Sequence, residues 1–368
     1  MVALARGNLL GDRPRLFISV GGVALAVVLV LLLQGFQAGM FRQMTAYVDN
    51  TPASLWVGQK GVANFQGATS FIPVALRADV AQVEGVAAAI PILAQYSVLE
   101  LEGEKVTTFL VGYDPVRGGG PWRLSQGRQV HTPDEAVVDR VLAERYGLSL
   151  GGAVTILGRS FRIVGLSEET TSWMLSMIFL HHDAAAALLG ATGATSFILV
   201  RTDPGIAAAA LASRLEDALP AANVVTRELV AANDIAYIGG IFNAPLRMMV
   251  LISVGIGALL VGLTIYSATA ERVREYGVLK ALGMRNRTLH AVVLKQALGA
   301  TALGFGVGVG LVRLVAEGIE WTWPQFLIVF ENGSLALAAG GGLAMALLAA
   351  YVPARYAGSI DPARVFRR

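Results

Sequence analysis

The chain has 368 residues, of which 55% are hydrophobic and only 15% are charged, and its formal net charge is +3. Soluble domains carry about 25% charged residues, so this composition excludes a disordered chain, a nucleic-acid-binding module and an ordinary cytosolic enzyme. The absence of cysteine excludes disulfides, thiolate metal sites, iron–sulfur clusters and thiol nucleophiles.

Four long apolar segments predict membrane-spanning helices: residues 16–41, 248–270, 289–312 and 332–354. A bilayer core of about 30 Å needs roughly 20 apolar residues in a helix, and a helix satisfies its own backbone hydrogen bonds in lipid. The alternative, a buried core helix, would need a very large soluble protein around it. A cleaved signal peptide is an alternative for the first segment, although its apolar run is longer than a typical one.

The distribution of charge predicts the side of the membrane that each connection faces. Residues 1–15, 271–295 and 355–368 together carry 13 basic and 4 acidic residues, whereas the other connections carry 16 and 22. Basic residues in short loops favour the cytosolic side. Both termini are therefore predicted to be cytosolic, and residues 42–247 are predicted to lie outside the cell membrane.

The predicted outer loop between the third and fourth spans, residues 313–331, contains two tryptophans. The amphipathic rings of Trp321 and Trp323 are suited to the membrane–water interface. An ordinary hydrophobic loop is the alternative interpretation.

Residues 42–247 alternate strand and helix patterns and predict a folded α+β domain inserted between the first two spans. Alternating apolar runs flank turn residues in two places, which predicts hairpins at 96–113 and 153–166. The other predicted strands are residues 54–59, 135–139, 174–180, 196–201 and 224–228, and the predicted helices are residues 79–84, 140–146, 183–189 and 205–219. A division into two lobes near the glycines at 118–120 is a further expectation.

No catalytic or metal-binding group emerges from this domain. The His-His-Asp run at 181–183 has the spacing of a metal site only loosely, which favours a surface or N-cap role. Glu100, Glu102 and Glu104 alternate along one predicted strand, which favours a solvated edge over paired acid–base carboxylates. We therefore predict no enzyme activity and no metal site in this chain.

The sequence also lacks the usual means of powering transport. None of the four lysines follows a glycine, so the chain has no phosphate-binding loop. Charged residues are missing from the interiors of the spans, where an ion-coupled carrier would keep them. We therefore expect energy to come from a partner.

Glycines at small-xxx-small spacing in two spans predict close helix packing. They are Gly35 and Gly39 at the end of the first span, and Gly304 and Gly308 in the third. The glycine run at 304–310 superficially resembles a dinucleotide fingerprint, but it lies inside an apolar span, where close packing is the better interpretation.

The cytosolic segment 271–288 begins where the second span ends and predicts a short charged helix that ends at Gly283. The side chains that can form one apolar face of this helix are Val273, Tyr276, Leu279 and Leu282. Such a helix can lie along the membrane and contact another protein. A solvated helix that touches only lipid head groups is the alternative.

This segment resembles the R-x-R-E-I-G-L-L-K-A-L-G-M signature of the FtsX-like, MacB-type permeases of ABC transporters. The matching residues are Arg274, Glu275, Gly277, Leu279, Lys280, Ala281, Leu282, Gly283 and Met284, whereas Tyr276 and Val278 replace the usual aliphatic residues. The regions 4–21, 135–166 and 353–363 resemble the N-terminal helix, outer core domain and tail of the family. The one-plus-three arrangement of four transmembrane helices around an outer domain also matches, and the smaller heterocyst-glycolipid-exporter permeases are similar in size.

The resemblance implies a multi-pass permease of the bacterial inner membrane that works with two separate ABC ATPase subunits, which bind ATP and magnesium. This chain itself is expected to hold no cofactor. The coupling residues that the resemblance implies are Arg274, Glu275, Tyr276, Gly277, Leu279, Lys280 and Gly283, with Arg6 and Asn8 as a second cytosolic contact. The other implied partners are a second permease copy, in a homodimer or alternatively a heterodimer, a membrane-fusion adaptor, an outer-membrane channel and membrane lipid.

The function implied by the resemblance is mechanotransmission. ATP-driven motion of the partner would move the outer domain and export or extract a lipid, lipoprotein, peptide or drug-like cargo. The alternative is a non-transporting regulator that relays ATPase motion to an extracytoplasmic cell-wall hydrolase. A sensory receptor fits less well, because the cytosolic segments are too short for an output domain.

Overall fold

The computed structural model describes residues 13–271, 274, 278 and 280–359. The chain divides into two compact units. The helical unit lies within Met1–Gly39, Phe242–Trp323 and Ile328–Arg368, and the sheet unit comprises Met40–Ile241 and Pro324–Leu327.

The secondary structure follows the predicted alternation. The helices are α1 (Arg13–Asn50), α2 (Leu76–Gln82), α3 (Arg140–Arg145), α4 (His182–Leu188), α5 (Ala208–Ala218), α6 (Arg227–Glu271), α7 (Asn286–Thr322) and α8 (Asn332–Ser359). The strands are β1 (Leu55–Gln59), β2 (Ile72–Pro73), β3 (Val86–Leu101), β4 (Glu104–Tyr113), β5 (Leu124–Gly127), β6 (Glu135–Asp139), β7 (Ala153–Ile156), β8 (Arg159–Ser167), β9 (Ser176–His181), β10 (Ala194–Thr195), β11 (Phe197–Thr202) and β12 (Ala222–Thr226). Both predicted hairpins are confirmed, as β3–β4 and β7–β8.

The four long helices are apolar enough to cross a membrane, but they extend beyond the segments that predict them. α1 continues to Asn50 instead of ending at residue 41, and α6 begins at Arg227 instead of 248. α7 continues to Thr322, so the first part of the predicted loop 313–331 is helical. Hydropathy marks only the part of a helix suited to lipid, whereas the 45 residues of α6 would measure about 68 Å.

The sheet unit is built on one ten-stranded mixed sheet with the order β12-β1-β11-β3-β4-β9-β6-β8-β5, and β7 pairs with β8. The pairs β4–β9 and β6–β8 are parallel, and the other pairs are antiparallel. The expected division into two lobes near residues 118–120 is wrong, because hydrogen bonds continue across the sheet from β12 to β5.

Both faces of this sheet are covered. On one face, Trp56 and its neighbours pack in a core that includes Tyr47 of α1. The other face packs against α2 and α5 near β1, and against α3 and α4 near β6. Because side chains alternate along a strand, Trp56 belongs to the first core whereas Leu55 and Val57 belong to the second.

A buried carboxylate braces the start of β6. Glu135 accepts two hydrogen bonds from Arg128, of 2.6 and 2.8 Å, and a third of 2.9 Å from Arg162. The backbone N–H of His131 donates to the same carboxylate at 2.9 Å. The hydrogen bonds from Arg128 outweigh the effect of burial and hold the pKa of Glu135 well below its ordinary value.

Candidate functional site

The candidate site is the segment 271–288, which the sequence predicts to be cytosolic and to couple to an ATPase. Among the implied coupling residues, the structure describes Arg274, Lys280 and Gly283. The implied residues outside the described part are Glu275, Tyr276, Gly277, Leu279, Arg6 and Asn8.

Gly283 ends the helical stretch of this segment, as predicted. Its N–H donates to the carbonyl of Lys280 at 3.0 Å, and its φ is +92°, a conformation that glycine adopts without a steric cost. α7 begins three residues later at Asn286, after Arg285 in an extended conformation. A short turn at residues 282–285 therefore separates the helical residues 280 and 281 from α7.

Lys280 ties this segment to the end of α8. Its half-buried Nζ donates to the carbonyl oxygen of Gly358 at 2.9 Å. Gly358 in turn lies against α7, because a Cβ at this position would be only 2.6 Å from Nε2 of His290. The last carbonyl groups of a helix lack partners within the helix, so a cation is favourable there. The segment, α7 and α8 therefore meet at Gly358.

The exposed face of the segment carries Arg274, Val278 and Leu282, which are spaced four residues apart. Leu282 is 80% exposed, whereas Met284 packs against the core of the helical unit. The predicted partners of Leu282 on one apolar face, Val273, Tyr276 and Leu279, lie outside the described residues. A cation and two apolar side chains are therefore available to a partner.

The glycines of α7 divide into packed and open positions. A Cβ on Gly304 would lie 2.5 Å from the Cβ of Val23, and one on Gly308 would lie 2.8 Å from the Cβ of Val27. A Cβ on Gly306 would have no neighbouring atom within 4 Å. Gly304 and Gly308 therefore allow α7 to approach α1 closely.

The other two predicted packing glycines lie near the end of the first apolar segment. Gly35 contacts the chain before α8, since its carbonyl accepts a 3.0 Å hydrogen bond from Val329 and a Cβ would lie 2.7 Å from Ile328. Gly39 is buried as well.

Large apolar side chains are exposed along the outer surface of the helical unit. A groove of about 570 Å³ lies between α6 and α8, where a Cβ on Gly262 would contact Ala349. Leu259, Leu263 and Leu348 line it and are 67%, 59% and 64% exposed. Such a surface is stable in lipid rather than in water.

The histidines of the sheet unit have structural roles. Nδ1 of His181 accepts a 3.3 Å hydrogen bond from the N–H of Asp183 and caps α4, which confirms the N-cap prediction. His182 is buried and hydrogen-bonds Thr195. No group of three or more metal-ligating side chains occurs within the described ranges.

Sequence reasoning missed two features of α6. Asn243 accepts a hydrogen bond from Gln37 of α1, and Pro245 stands inside the helix. An amide side chain inside the first predicted span, and another shortly before the second, were a usable signal for the first feature. A proline near the start of an apolar run was a signal for the second.

The sheet unit between two long helices, with two further apolar helices after them, defines a membrane protein with a large inserted domain. Residues 16–218 match the MacB-like periplasmic core domain, and residues 247–362 match the FtsX-like permease C-terminal region. The chain therefore belongs to the FtsX/MacB-type permeases of ABC transporters, a family that implies an ATPase partner.

Known proteins match this chain over lengths that range from a quarter of it to nearly the whole. An uncharacterized ABC transporter permease of Mycobacterium tuberculosis is 27% identical over 357 residues, which are 96% of each chain. The macrolide export ATP-binding/permease protein MacB of Campylobacter fetus is 27% identical over 92 residues, 25% of this chain and 14% of that one. The periplasmic region of MacB from Actinobacillus actinomycetemcomitans aligns with 49% of this chain and 92% of that one, with 11% identity and a TM-score of 0.38.

Proposed function

We propose that this chain converts ATP hydrolysis by separate ATPase subunits into motion of its sheet unit, and so exports or extracts a lipid, lipoprotein, peptide or drug-like cargo. The segment 271–288 receives the motion on the cytosolic side, and the sheet unit lies on the other side of the membrane. The basic residues of the short connections support this orientation.

One observation carries the proposal. α6 is a single helix that begins in the sheet unit at Arg227 and ends at Glu271, where the coupling segment starts. Apart from the interruption at Pro245, the hydrogen bonds of the helix resist bending, so a displacement at one end is carried towards the other. The partner would contact the face formed by Arg274, Val278 and Leu282, and Lys280 would pass its motion to α8.

The partner ATPase supplies ATP and magnesium in this scheme, and this chain supplies no catalytic group. A second permease copy, in a homodimer or a heterodimer, would complete the membrane part. A membrane-fusion adaptor with an outer-membrane channel would favour export. A cell-wall hydrolase as the outer partner would favour the regulatory alternative, which uses the same movement.

The coupling face can be tested with the full chain in lipid nanodiscs together with the ATPase that copurifies with it. Leu282→Ser and Arg274→Gln should reduce the ATPase stimulation by the permease about tenfold or more, because hot-spot residues dominate interface free energies. Leu150→Ser, which changes a 45% exposed leucine of the sheet unit, is the matched control. Undiminished stimulation in both coupling-face variants would refute the assignment.

A further inference from the structure

A buried carboxylate of the sheet unit has no part in the coupling described above. Asp234 lies on α6, and its side chain is completely buried. Its Oδ1 accepts hydrogen bonds from the backbone N–H groups of Phe65, at 3.0 Å, and Gln66, at 2.9 Å. Its Oδ2 has no hydrogen-bond partner among the residues that the structure describes. Burial of a carboxylate is costly, so the two hydrogen bonds that compensate it hold α6 and this loop together.

Gln66 connects the same loop to two further elements. Its Nε2 donates to the carbonyl oxygen of Met44 on α1 at 3.0 Å. Its own carbonyl oxygen accepts a 3.1 Å hydrogen bond from the hydroxyl of Tyr96 on β3. One residue of the loop therefore contacts α1, β3 and, through Asp234, α6.

Phe65 adds an aromatic connection to the sheet. Its ring stacks on Tyr47 of α1 with a centroid distance of 4.8 Å and an interplanar angle of 14°. The rings of Trp56 on β1 and Phe109 on β4 lie edge-on to Phe65, with centroids at 5.2 and 5.1 Å. The loop is thus packed between α1 and two strands of the sheet.

We propose that Asp234 is the positioning residue that makes the sheet unit follow α6, through a junction formed by Asp234, Phe65 and Gln66. This inference rests on the proposed function, in which α6 carries the motion. Apolar contacts allow a helix to slide or rotate, whereas two hydrogen bonds to consecutive backbone amides fix its rotation and axial position. A movement of α6 therefore displaces the loop, and the loop displaces α1 and β3.

Hydrogen exchange tests the junction without reference to transport. In the full chain in nanodiscs, Asp234→Ala should raise the exchange rates of the Phe65 and Gln66 amides about tenfold or more, because both lose their acceptor. Asp217→Ala, on the exposed surface of α5, is the matched control and should change neither rate. Rates within about twofold of the wild type in Asp234→Ala would overturn the junction.

Distance measurements test whether the junction transmits motion. The chain has no cysteine, so spin labels can be attached to cysteines introduced at the exposed positions Glu100 on β3 and Glu228 on α6. In the complex with the ATPase, the wild-type distance should stay constant between nucleotide states, whereas Asp234→Ala should broaden or shift it when ATP is added. A distance that stays constant in the variant would overturn the proposal.

Two further variants separate transmission from simple folding. Asp234→Asn keeps an acceptor oxygen and should restore most of the wild-type behaviour in both measurements. If Asp234→Ala does not fold, Gln66→Met removes only the hydrogen bond to Met44 and should still loosen α1 in exchange experiments.

Failure of the Leu282 and Arg274 variants to lower ATPase stimulation would refute the proposed coupling face. The exchange result for the junction would stand independently of that failure.

Discussion

Gln37 on α1 donates a hydrogen bond from Nε2 to Oδ1 of Asn243 on α6, and the two atoms are 2.6 Å apart. Both side chains are half-buried in the helical unit. The pair joins two residues that are 206 positions apart in sequence. A directional bond therefore ties α1 to α6, the helix that ends at the coupling segment.

Replacement of either amide should destabilise the helical unit. Gln37→Leu leaves Asn243 without this donor, and hydrogen bonds between membrane helices contribute about 0.6 kcal/mol on average. The Gln37→Leu/Asn243→Leu double variant should lose less stability than the sum of the two single variants, because it leaves neither amide without its partner. Thermal unfolding of the detergent-solubilised chain measures all four proteins. Strict additivity would contradict a specific interaction.

The glycines of α7 provide a prediction with its own control. Gly304→Ala should lower the unfolding temperature, because the added methyl group would lie 2.5 Å from Val23 and 2.9 Å from a carbonyl oxygen of α1. Gly306→Ala should be neutral or stabilise the helix by about 0.5–1 kcal/mol, because its surroundings are open and alanine favours helix.

The comparison of these two variants is independent of any assumption about transport. Equal stabilities of Gly304→Ala and Gly306→Ala would show that α7 does not pack closely against α1. Gly308→Ala should behave like Gly304→Ala, because its methyl group would approach Val27 at 2.8 Å.

Pro245 should make α6 locally more flexible. Proline has no N–H to donate to the carbonyl of Ile241, which interrupts the hydrogen-bond ladder inside the 45-residue helix. Pro245→Ala should protect the neighbouring amides from exchange and raise the unfolding temperature. Because the proposed function uses the stiffness of α6 to carry motion, we also expect a severalfold increase in ATP-driven movement of the sheet unit per ATP hydrolysed. Unchanged amide exchange near residue 245 would contradict the structural part of this prediction.

The brace at Glu135 predicts an acid-dependent stability. Its pKa in the folded chain is lower than in the unfolded chain, where the pKa of glutamate is about 4.3. Its contribution to stability is therefore complete above that value and is lost as the pH falls towards the folded pKa. Glu135→Gln should lower the unfolding temperature by about 2–4 °C at pH 7, the shift that about 1 kcal/mol causes in a domain of this size.

The same comparison at lower pH checks the sign. The difference between wild type and Glu135→Gln should shrink as the pH is lowered below about 4, because the wild-type carboxylate then takes up a proton. Glu144→Gln is a suitable control, because Glu144 pairs with Arg140 at an exposed i, i+4 position. A difference independent of pH would assign the effect of Glu135 to packing rather than charge.

The features that sequence predicted correctly depend on local or periodic patterns. The four apolar segments and the hairpin around Gly103 depend on composition, alternation and turn residues within a few positions. The packed positions of Gly304 and Gly308 follow from their helical spacing. These signals do not require knowledge of a distant partner.

The missed features depend on contacts between distant residues. The first part of β3, residues 86–95, is rich in alanine and contains a proline, and only its pairing with β11 and β4 makes it a strand. Asp234 contacts Phe65 across 169 positions, and one aspartate on a polar helix end carries no periodic signal. The part of α6 before residue 242 is helical because it packs within the sheet unit, where Val230 belongs to the core. A hydropathy profile does not register that packing.

The shared aromatic core has a consequence for domain exchange. Tyr47 and Val48 of α1 and Val230 of α6 belong to the same core as the strands. A chimaera cut at the polar ends of these helices would remove part of that core and leave a cavity beside Trp56. Swapping this domain between family members therefore requires splice points within the apolar stretches of α1 and α6. The transferred domain then keeps its own parts of both helices.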